Sequence, residues 1–367
     1  MKIRAAQLHY PILERTLSPE HYFSQVKEQY SRFKQEDLLE MVSRLSIFVY
    51  QIKTAKGKIY NGIATAVSMR EYTAGNIKGH EATLTAKELQ QLELLEERRA
   101  QVKPVLLTYP KVSAIEQWIV AIQQSHELFF ELEYKTQTHR IWRVDGTDAI
   151  AAIEQLFDLN VPTVYIADGH HRTAVMSRWA AKQQTESFLY ATLFSSDQIE
   201  ILPFNRVVEG VAKRSFDGFM KEMKKLCDIR RIKKPFLHPP KHCLQMYIRK
   251  QWYALIWKPK ILATCIHPIE QLDPYLLDQR ILKAVMQIID IRNSDKVKYI
   301  GGLQDSVRRI KDFVDKDEDR IGFYVPAIRI DDFLQVVDAG ALLPPKSTWF
   351  EPRMLNGLLV QDLYDGN

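Results

Sequence analysis

Apolar and polar positions follow a helical period in some stretches of the chain and a strand period in others. Ser18 precedes Pro19, a typical helix start, and apolar residues then recur every three or four positions from 22 to 33. The stretches 47–52 and 59–67 are rich in β-branched and aromatic residues, and 55–58 between them contains Gly57. This pattern predicts a helix from Ser18 onward and then a β-hairpin.

Helix and strand patterns continue to alternate toward the C-terminus, without an internal repeat or a low-complexity stretch. The further predicted strands are 105–109, 128–134, 140–144, 161–166, 188–194, 244–248 and 252–257. The further predicted helices are 85–100, 147–157, one beginning near His171, 276–289 and 303–314. The fold class is therefore α/β, or mixed α+β, and a boundary is predicted near Glu209-Gly210.

The composition is that of an ordinary globular protein, with 46% hydrophobic and 26% charged residues. No apolar run reaches the roughly 18 residues that a membrane helix needs, and the first residues do not resemble an export signal. Cys227, Cys243 and Cys265 are far apart and form no C-x-x-C pair, which favours buried, reduced thiols. We therefore expect a cytoplasmic protein without a membrane partner.

The net charge of +6 is modest, and part of it lies in a basic run between residues 221 and 234. Such a run can contact nucleic acid or another anion. Apolar residues at 219, 220, 223, 226 and 229 are interleaved with it at helical spacing. The pattern favours the solvated face of an amphipathic helix, and a nucleic-acid partner is not expected.

The strongest local signal for chemistry is Asp168-Gly169-His170-His171-Arg172-Thr173, which follows a predicted strand and opens a predicted helix. A helix N-terminus offers unpaired N–H groups to phosphate, Gly169 permits a tight turn, and Arg172 offers a planar fork to phosphate oxygens. The histidines can donate hydrogen bonds or transfer protons. In the alternative interpretation, Asp168 is only a helix cap and the histidines are structural. A zinc site is disfavoured because its ligands are usually spaced further apart.

Two weaker candidates accompany this segment. Lys78-Gly79-His80-Glu81-Ala82-Thr83 precedes a predicted helix, and there Glu81 could act as a general base and Lys78 could hold a phosphate. Lys346-Ser347-Thr348 follows two prolines and offers one ammonium and two hydroxyls. A solvated loop and an ordinary turn explain these two stretches equally well. The Walker A loop, the protein-kinase loops and the dinucleotide fingerprint are absent.

The segment from Ile166 to Thr173 resembles the signature of a ParB/sulfiredoxin-like family that includes kinases of free L-serine. Three other stretches fit the same family: 77–83, 202–208 and 344–353. The resemblance extends from about Ile47 to the C-terminus. The N-terminus lacks the family's Pro-Tyr-Asp stretch, and Phe204-Asn205-Arg206 stands where the family often has Thr-His-Arg, so Asn205 replaces the histidine and Arg206 keeps the arginine.

This resemblance implies a ParB/sulfiredoxin-like catalytic core in residues 1–209 and a C-terminal α/β lobe in residues 210–367, with Lys346-Ser347-Thr348 folding back onto the site. The implied reaction transfers a phosphoryl group to the hydroxyl of free L-serine and gives O-phospho-L-serine. Pyrophosphate is favoured over ATP or ADP as the donor, because the common nucleotide-binding loops are absent. The oligomeric state stays open and allows a homo-oligomer.

The expected roles follow from the residue types. Glu81, rather than Asp168, is expected to take the serine proton, and Asp168 to hold Mg²⁺ or the substrate amine; His170 completes the catalytic set. The expected substrate and phosphate ligands are Gly169, His171, Arg172, Thr173, Lys78, His80, Thr83, Arg206, Lys346, Ser347 and Thr348. Two rival functions remain, a ParB-like nucleic-acid-binding module and a non-catalytic sensor of serine or a nucleotide.

Overall fold

A computed structural model describes residues 1–82, 85–209, 216–303 and 305–363. Contacts divide the chain into two compact units. Unit 1 comprises Met1–Ile199 together with the C-terminal segment from Pro352, and unit 2 comprises Glu200–Glu351. This division differs from the predicted boundary after residue 209.

The elements are numbered along the chain. The strands are β1 (Ile3–Arg4), β2 (His9–Pro11), β3 (Leu39–Met41), β4 (Ile47–Thr54), β5 (Ile59–Ser68), β6 (Ile77–Lys78), β7 (Ala100–Gln101), β8 (Val105–Tyr109), β9 (Leu128–Tyr134), β10 (Gln137–Val144), β11 (Val164–Asp168), β12 (Phe188–Ser195), β13 (Glu200–Leu202), β14 (Phe204–Glu209), β15 (Cys227–Ile232), β16 (Cys243–Ile248), β17 (Gln251–Trp257), β18 (Val297–Gly301), β19 (Arg320–Tyr324), β20 (Trp349–Glu351) and β21 (Gln361–Asp362). The helices are α1 (Pro19–Gln35), α2 (Met69–Thr73), α3 (Thr85–Arg98), α4 (Ser113–Ser125), α5 (Thr147–Asn160), α6 (His170–Ala180), α7 (Phe216–Leu226), α8 (Pro259–Leu262), α9 (Asp273–Leu276), α10 (Ser306–Val314) and α11 (Ile330–Asp338). This mixed α/β content agrees with the predicted fold class.

Unit 1 is built on a nine-stranded mixed sheet with the order β6-β11-β8-β12-β5-β4-β10-β9 and β1 paired to β5. β8 runs parallel to β12 and antiparallel to β11. The strands β8 and β12 are buried along almost their whole length, as in a sheet covered on both faces, whereas the edge strand β9 is largely exposed. One face packs in a hydrophobic core with α4, α5 and α6, through residues such as Ile119, Phe157 and Val175.

The start of α1 confirms the predicted helix signal. The Ser18 side chain accepts a hydrogen bond from the His21 backbone N–H at 3.1 Å, and Pro19 occupies the first helical position. Both features stabilise a helix N-terminus, since they satisfy or remove N–H groups that have no partner within the helix. The apolar face of α1 buries Tyr22, Val26 and Phe33.

The C-terminal segment returns to unit 1 and is held there by its backbone. The Gly357 N–H donates to the Val102 carbonyl at 2.8 Å, and the Tyr22 hydroxyl donates to the Gly357 carbonyl at 2.9 Å. Gly357 has φ +73°, and a Cβ there would lie 2.6 Å from Val26, so only glycine fits.

Unit 2 contains a six-stranded antiparallel sheet with the order β15-β17-β16-β19-β14-β18. Its main core packs α7 and the segment 276–288 against the sheet, through residues such as Phe219, Leu277 and Phe323. The three cysteines are all in this unit, all buried and all unpaired, as the sequence predicts.

Two predictions for unit 2 were partly wrong. The basic run is not one amphipathic helix, because α7 ends at Leu226 and Ile229 lies on the edge strand β15. Cys227 and Ile229 are two positions apart with the exposed Asp228 between them, which fits a strand and overrides the helical spacing. The predicted helix 276–289 is instead α9 followed by a π-helical segment, Leu277–Lys283.

The predicted strand 161–166 begins later, at Val164, and extends to Asp168. The remaining predicted elements agree with the structure within a few residues at their ends. In the described part of the chain, no helix combines the length and the apolar character needed to cross a membrane.

Candidate functional site

Asp168 lies at the end of a buried strand, where β11 meets α6. It is in register with Leu106 of the antiparallel neighbour β8, and the pairing is irregular between Ile166 and Asp168. Such an irregularity bends a strand and changes the direction of its side chains. The polar end of β11 therefore lies beside the beginning of β8.

Gly169 makes the turn between strand and helix. Its φ of +115° and ψ of +25° are outside the range that L-amino acids readily adopt. A Cβ at this position would lie 2.8 Å from the Arg172 guanidinium and 3.1 Å from Val105. Glycine is thus required both for the turn and for the close approach of Arg172.

Two cations hold the Asp168 carboxylate. Its Oδ2 accepts hydrogen bonds from Lys103 Nζ at 3.0 Å and from Arg172 Nη2 at 3.1 Å. Burial would raise the pKa of Asp168, but the charges of Arg172 and Lys103 outweigh it and hold this pKa well below its usual range. Asp168 Oδ1 makes no hydrogen bond within the described part of the chain, so one oxygen is available to a ligand.

Lys103 is the site residue that the sequence analysis missed. It lies just before β8 and 65 positions before Asp168, and its side chain is 28% exposed. Burial and the neighbouring Arg172 lower its pKa, whereas Asp168 raises it. Arg353 of the C-terminal segment also lowers the pKa of Lys103, so a third positive charge lies near this lysine. The one available signal was a lysine two positions before a buried strand.

A second group consists of Glu81, His80 and His170. The His80 backbone N–H donates to His170 Nε2 at 3.1 Å, and the two imidazole rings are in edge-to-face contact at 4.3 Å. Because Nε2 accepts a hydrogen bond, a neutral His170 carries its proton on Nδ1. That nitrogen is 3.9 Å from Glu81 Oε2, and the Glu81 side chain is 45% exposed. His170 thus lies between the backbone of residue 80 and a solvent-accessible carboxylate.

The histidines of this group are neutral at pH 7. Burial lowers the pKa of His170 to about 4, although Asp168 opposes the shift. Burial lowers the pKa of His80 well below its usual value, and the proximity of His170 adds to that shift. These directions favour positioning by hydrogen bonds over proton transfer near neutral pH.

The other predicted residues of unit 1 have varied surroundings. Lys78 lies on β6, in register with Tyr165 of β11. His171 is half-buried on α6, and its buried Nδ1 has no hydrogen-bond partner in the residues described. The Thr173 hydroxyl is buried and donates to the Gly169 carbonyl at 3.2 Å. Thr83 lies outside the described residues. The phosphate-binding roles of these side chains stay predictions.

Arg206 belongs to unit 2 and is fully buried. Its Nη1 donates to the Phe204 carbonyl at 2.6 Å, and its Nε is 3.4 Å from Asp278 Oδ1. Burial raises the pKa of Asp278, and the charge of Arg206 opposes that shift. The guanidinium thus has partners inside unit 2, and its predicted phosphate role remains untested.

The segment Lys346-Ser347-Thr348 also belongs to unit 2. Lys346 is exposed, with its ammonium 5.6 Å from the centre of the Phe204 ring. The buried Ser347 hydroxyl donates to the Pro344 carbonyl at 2.7 Å, as in an ordinary turn, and Thr348 is half-buried. That this segment folds back onto the site stays a prediction.

The described residues contain no group of three or more His, Cys, Asp or Glu side chains that could hold a metal ion. A Mg²⁺ site often has fewer protein ligands than that, since Mg²⁺ is commonly bound by one or two carboxylates together with substrate phosphates and water. Asp168 Oδ1 fits that donor set. Lys103 and Arg172 lie beside this oxygen and would repel a metal ion. A metal could therefore bind there only together with an anionic ligand.

A buried neutral histidine makes the stability of unit 1 depend on pH. The pKa of His170 is about 4, against 6.5 for an unperturbed histidine, so the unfolded chain takes up the proton first as the pH falls. We expect the free energy of unfolding to lose up to about 1.4 kcal/mol per pH unit from this residue between pH 6.5 and pH 4. His170→Gln should remove this contribution, which urea unfolding of variant and wild type at pH 7.5 and pH 5 measures.

His139→Gln provides the matched control. Burial also lowers the pKa of His139 to about 4, and its Nδ1 is 2.8 Å from the Tyr50 hydroxyl, away from the site. Both variants should flatten the pH dependence of stability, but only His170→Gln should alter activity. If the free energy of unfolding of His170→Gln depends on pH as that of the wild type does, folding does not lower the pKa of His170.

Comparison with known families gives one match. A family profile described as "Protein of unknown function (DUF1015)" matches residues 5–275. A search of curated proteins finds no match.

Similar solved structures are distant relatives. One is a free serine kinase in complex with AMP, 14% identical, with a TM-score of 0.38, covering 78% of this chain and 87% of that one. Another is a conserved hypothetical protein from Pyrococcus furiosus, 11% identical, with a TM-score of 0.37, covering 80% and 92%. A third is SbnI with a C-terminal truncation from Staphylococcus aureus, 12% identical, with a TM-score of 0.41, covering 80% and 85%. TM-scores below 0.5 are too low to support an inference about the function of this chain.

Proposed function

Because the chain belongs to DUF1015, a family of proteins of unknown function, we propose its activity from its own side chains. The proposed activity is transfer of a phosphoryl group to the hydroxyl of free L-serine, giving O-phospho-L-serine. The observation that carries this proposal is the Asp168 carboxylate between Lys103 and Arg172. Phosphoryl transfer depends mainly on positioning and on charges that stabilise the moving phosphoryl group.

Lys103 and Arg172 are the proposed ligands of the donor phosphates. Both side chains are 28% exposed, so each can reach a ligand while it keeps its contact with Asp168 Oδ2. Arginine binds phosphate through a planar fork, and lysine adds a compact charge. Asp168 in turn keeps the two cations in place, and its Oδ1 can receive the ammonium group of serine or a Mg²⁺ ion.

Glu81 is the proposed general base. It is the more exposed of the two carboxylates, at 45% against 36% for Asp168. In the proposed step, Glu81 takes the proton of the serine hydroxyl and the serine oxygen forms a bond to phosphorus. The bond from phosphorus to its leaving oxygen breaks, and the leaving group departs with that electron pair. Neutral His170 lies next to Glu81, with its Nδ1 3.9 Å from Glu81 Oε2, and takes no part in proton transfer.

Mg²⁺ would shield the charge of the donor phosphates when bound. Asp168 is the side chain proposed to hold it. As for the donor, pyrophosphate is the choice that the sequence favours over ATP and ADP. All three contain a diphosphate, which the Lys103 and Arg172 charges could bind in the same way.

An acceptor assay tests this proposal. The full chain is incubated with Mg²⁺, one donor at a time and isotopically labelled L-serine, L-threonine or D-serine, and anionic products are separated by ion exchange. We expect labelled phosphoserine from L-serine at a rate at least tenfold above the other two acceptors. Release of inorganic phosphate without a labelled product would show that the site hydrolyses the donor, which contradicts the proposal.

A further inference from the structure

A cavity of about 430 Å³ opens in unit 2, against α9 and the π-helical segment that follows it. Its remaining wall is formed by Cys265 and Glu270, in the stretch of chain that precedes α9. Cavities of roughly 300–1,000 Å³ are typical of small-molecule sites, and π-helical turns are frequent at functional sites. None of the residues proposed for phosphoryl transfer lines this cavity.

Two cations of the π-helical segment line the cavity. These are Arg280 and Lys283, and neither forms an ion pair with a carboxylate in the described part of the chain. Arg280 Nη2 donates to the Thr264 hydroxyl at 3.0 Å, and that hydroxyl donates to the Ile261 carbonyl at 2.7 Å. Thr264 therefore holds the guanidinium in place without neutralising its charge. The planar fork of an arginine suits the carboxylate of a ligand.

One carboxylate, that of Glu270, also lines the cavity. Glu270 Oε2 accepts hydrogen bonds from the backbone N–H groups of Ile266 at 2.8 Å and of His267 at 3.2 Å. The bonds from His267 and Ile266 lower the pKa of Glu270, so its carboxylate is charged at pH 7. Among the described side chains, Glu270 forms no ion pair with Arg280 or Lys283. Charges of opposite sign thus lie around one cavity without contacting each other.

The cavity also has apolar walls. Leu276 and Cys265 are 1% and 7% exposed, and Tyr275 and Ala284 are further members of the lining. An apolar group in contact with these side chains would be removed from water, which favours its binding. Inorganic phosphate or a metal ion would make no use of these walls.

We propose that this cavity binds a free α-amino acid with an apolar side chain. The carboxylate of the ligand contacts Arg280 and Lys283, its ammonium group contacts Glu270, and its side chain packs against Leu276 and Tyr275. A zwitterion matches both signs of charge at once, which a simple anion or a simple cation does not. Because the site lies in unit 2 and shares no residue with the proposed reaction, the inference does not rest on the proposed function.

L-Leucine is the probe, together with two analogues that each lack one charge. L-Leucinamide lacks the carboxylate and 4-methylpentanoate lacks the ammonium group, while both keep the apolar side chain. Calorimetry with the full chain should show binding of L-leucine and at least tenfold weaker binding of each analogue. If either analogue binds as tightly as L-leucine, the cavity does not recognise a zwitterion and the inference is overturned.

Two variants assign the ligand's charges to their partners. Arg280→Gln should weaken binding of L-leucine about tenfold and leave that of L-leucinamide unchanged, because the amide has no carboxylate to contact the guanidinium. Glu270→Gln should weaken L-leucine to a similar degree and leave 4-methylpentanoate unchanged. Its amide oxygen can still accept the two backbone N–H groups, so the local fold is kept. Lys283→Gln, at an exposed position, should also weaken L-leucine.

Arg309→Gln is the matched control, since Arg309 is an exposed arginine of unit 2 that does not line the cavity. Its affinity for L-leucine should equal that of the wild type, and so should that of Asp168→Asn, within twofold. Loss of L-leucine binding in Asp168→Asn, with normal binding in Arg280→Gln, would place the amino acid at the phosphoryl-transfer site and overturn the inference. A chain that does not bind L-leucine at millimolar concentration would also overturn it, whether or not that chain phosphorylates serine.

Discussion

Replacing Asp168 by Asn is expected to lower turnover by on the order of 10²-fold or more. The amide keeps the shape of the side chain but removes the negative charge that Lys103 and Arg172 share. Without that charge the two cations repel each other, and the oxygen proposed to bind the serine ammonium or Mg²⁺ loses its affinity. Steady-state kinetics with saturating donor and serine, together with a circular dichroism spectrum of the variant, measure the effect.

Asp145→Asn is the matched control for this change. Asp145 is also in unit 1, its carboxylate is 2.5 Å from Arg143 Nη2, and its side chain is 35% exposed against 36% for Asp168. Asp145→Asn also removes a carboxylate charge that pairs with an arginine, but it does so outside the site. Turnover should therefore stay within twofold of the wild-type value. Comparable losses in both variants would show that Asp168 acts through the stability of the fold and not in the reaction.

Replacing Glu81 by Gln is expected to lower kcat by roughly 10²-fold to 10⁴-fold, the range typical of a lost general base. The amide cannot accept the serine proton, but it is close in size to the carboxylate and can still contact the Nδ1–H of His170. The KM for serine should therefore change little. Initial rates over a range of serine concentrations separate the two parameters.

Glu131→Gln serves as the control for the base. Glu131 is 40% exposed, against 45% for Glu81, and it pairs with Arg140 on the edge of the unit 1 sheet. Its substitution therefore removes the charge of a carboxylate of similar exposure. Its kcat should be unchanged. A Glu81→Gln variant with full kcat, or one in which only KM rises, would remove Glu81 from the role of base and leave Asp168 as the alternative.

Much of unit 1 could be predicted because its strands are apolar and lie between clear turn signals. The strand 105–109 agrees in both bounds, and the turn at Asp168-Gly169 follows from a strand that ends in a polar residue and a glycine. Glu81 and His170 were predicted from separate segments, and the structure brings them to 3.9 Å through the parallel pairing of β6 with β11.

Other features depend on contacts that local patterns do not contain. Lys103 reaches Asp168 only because β8 pairs with β11 in antiparallel register. The return of Gly357 to unit 1 depends on its fit against Val26, a residue from the other end of the chain. In unit 2, the spacing around Ile229 fits a helix as well as a strand, and the pairing of β15 with β17 decides between them.

The most direct test of the central claim is ³¹P NMR of the full chain with L-serine and Mg²⁺, with ADP, ATP and pyrophosphate supplied in separate tubes. We expect an O-phospho-L-serine resonance that grows in at least one of the three tubes, while the signal of that donor decays in equal amount. A folded protein that produces no phosphoserine resonance in any of the three tubes would contradict the assignment of this chain as a kinase of free serine.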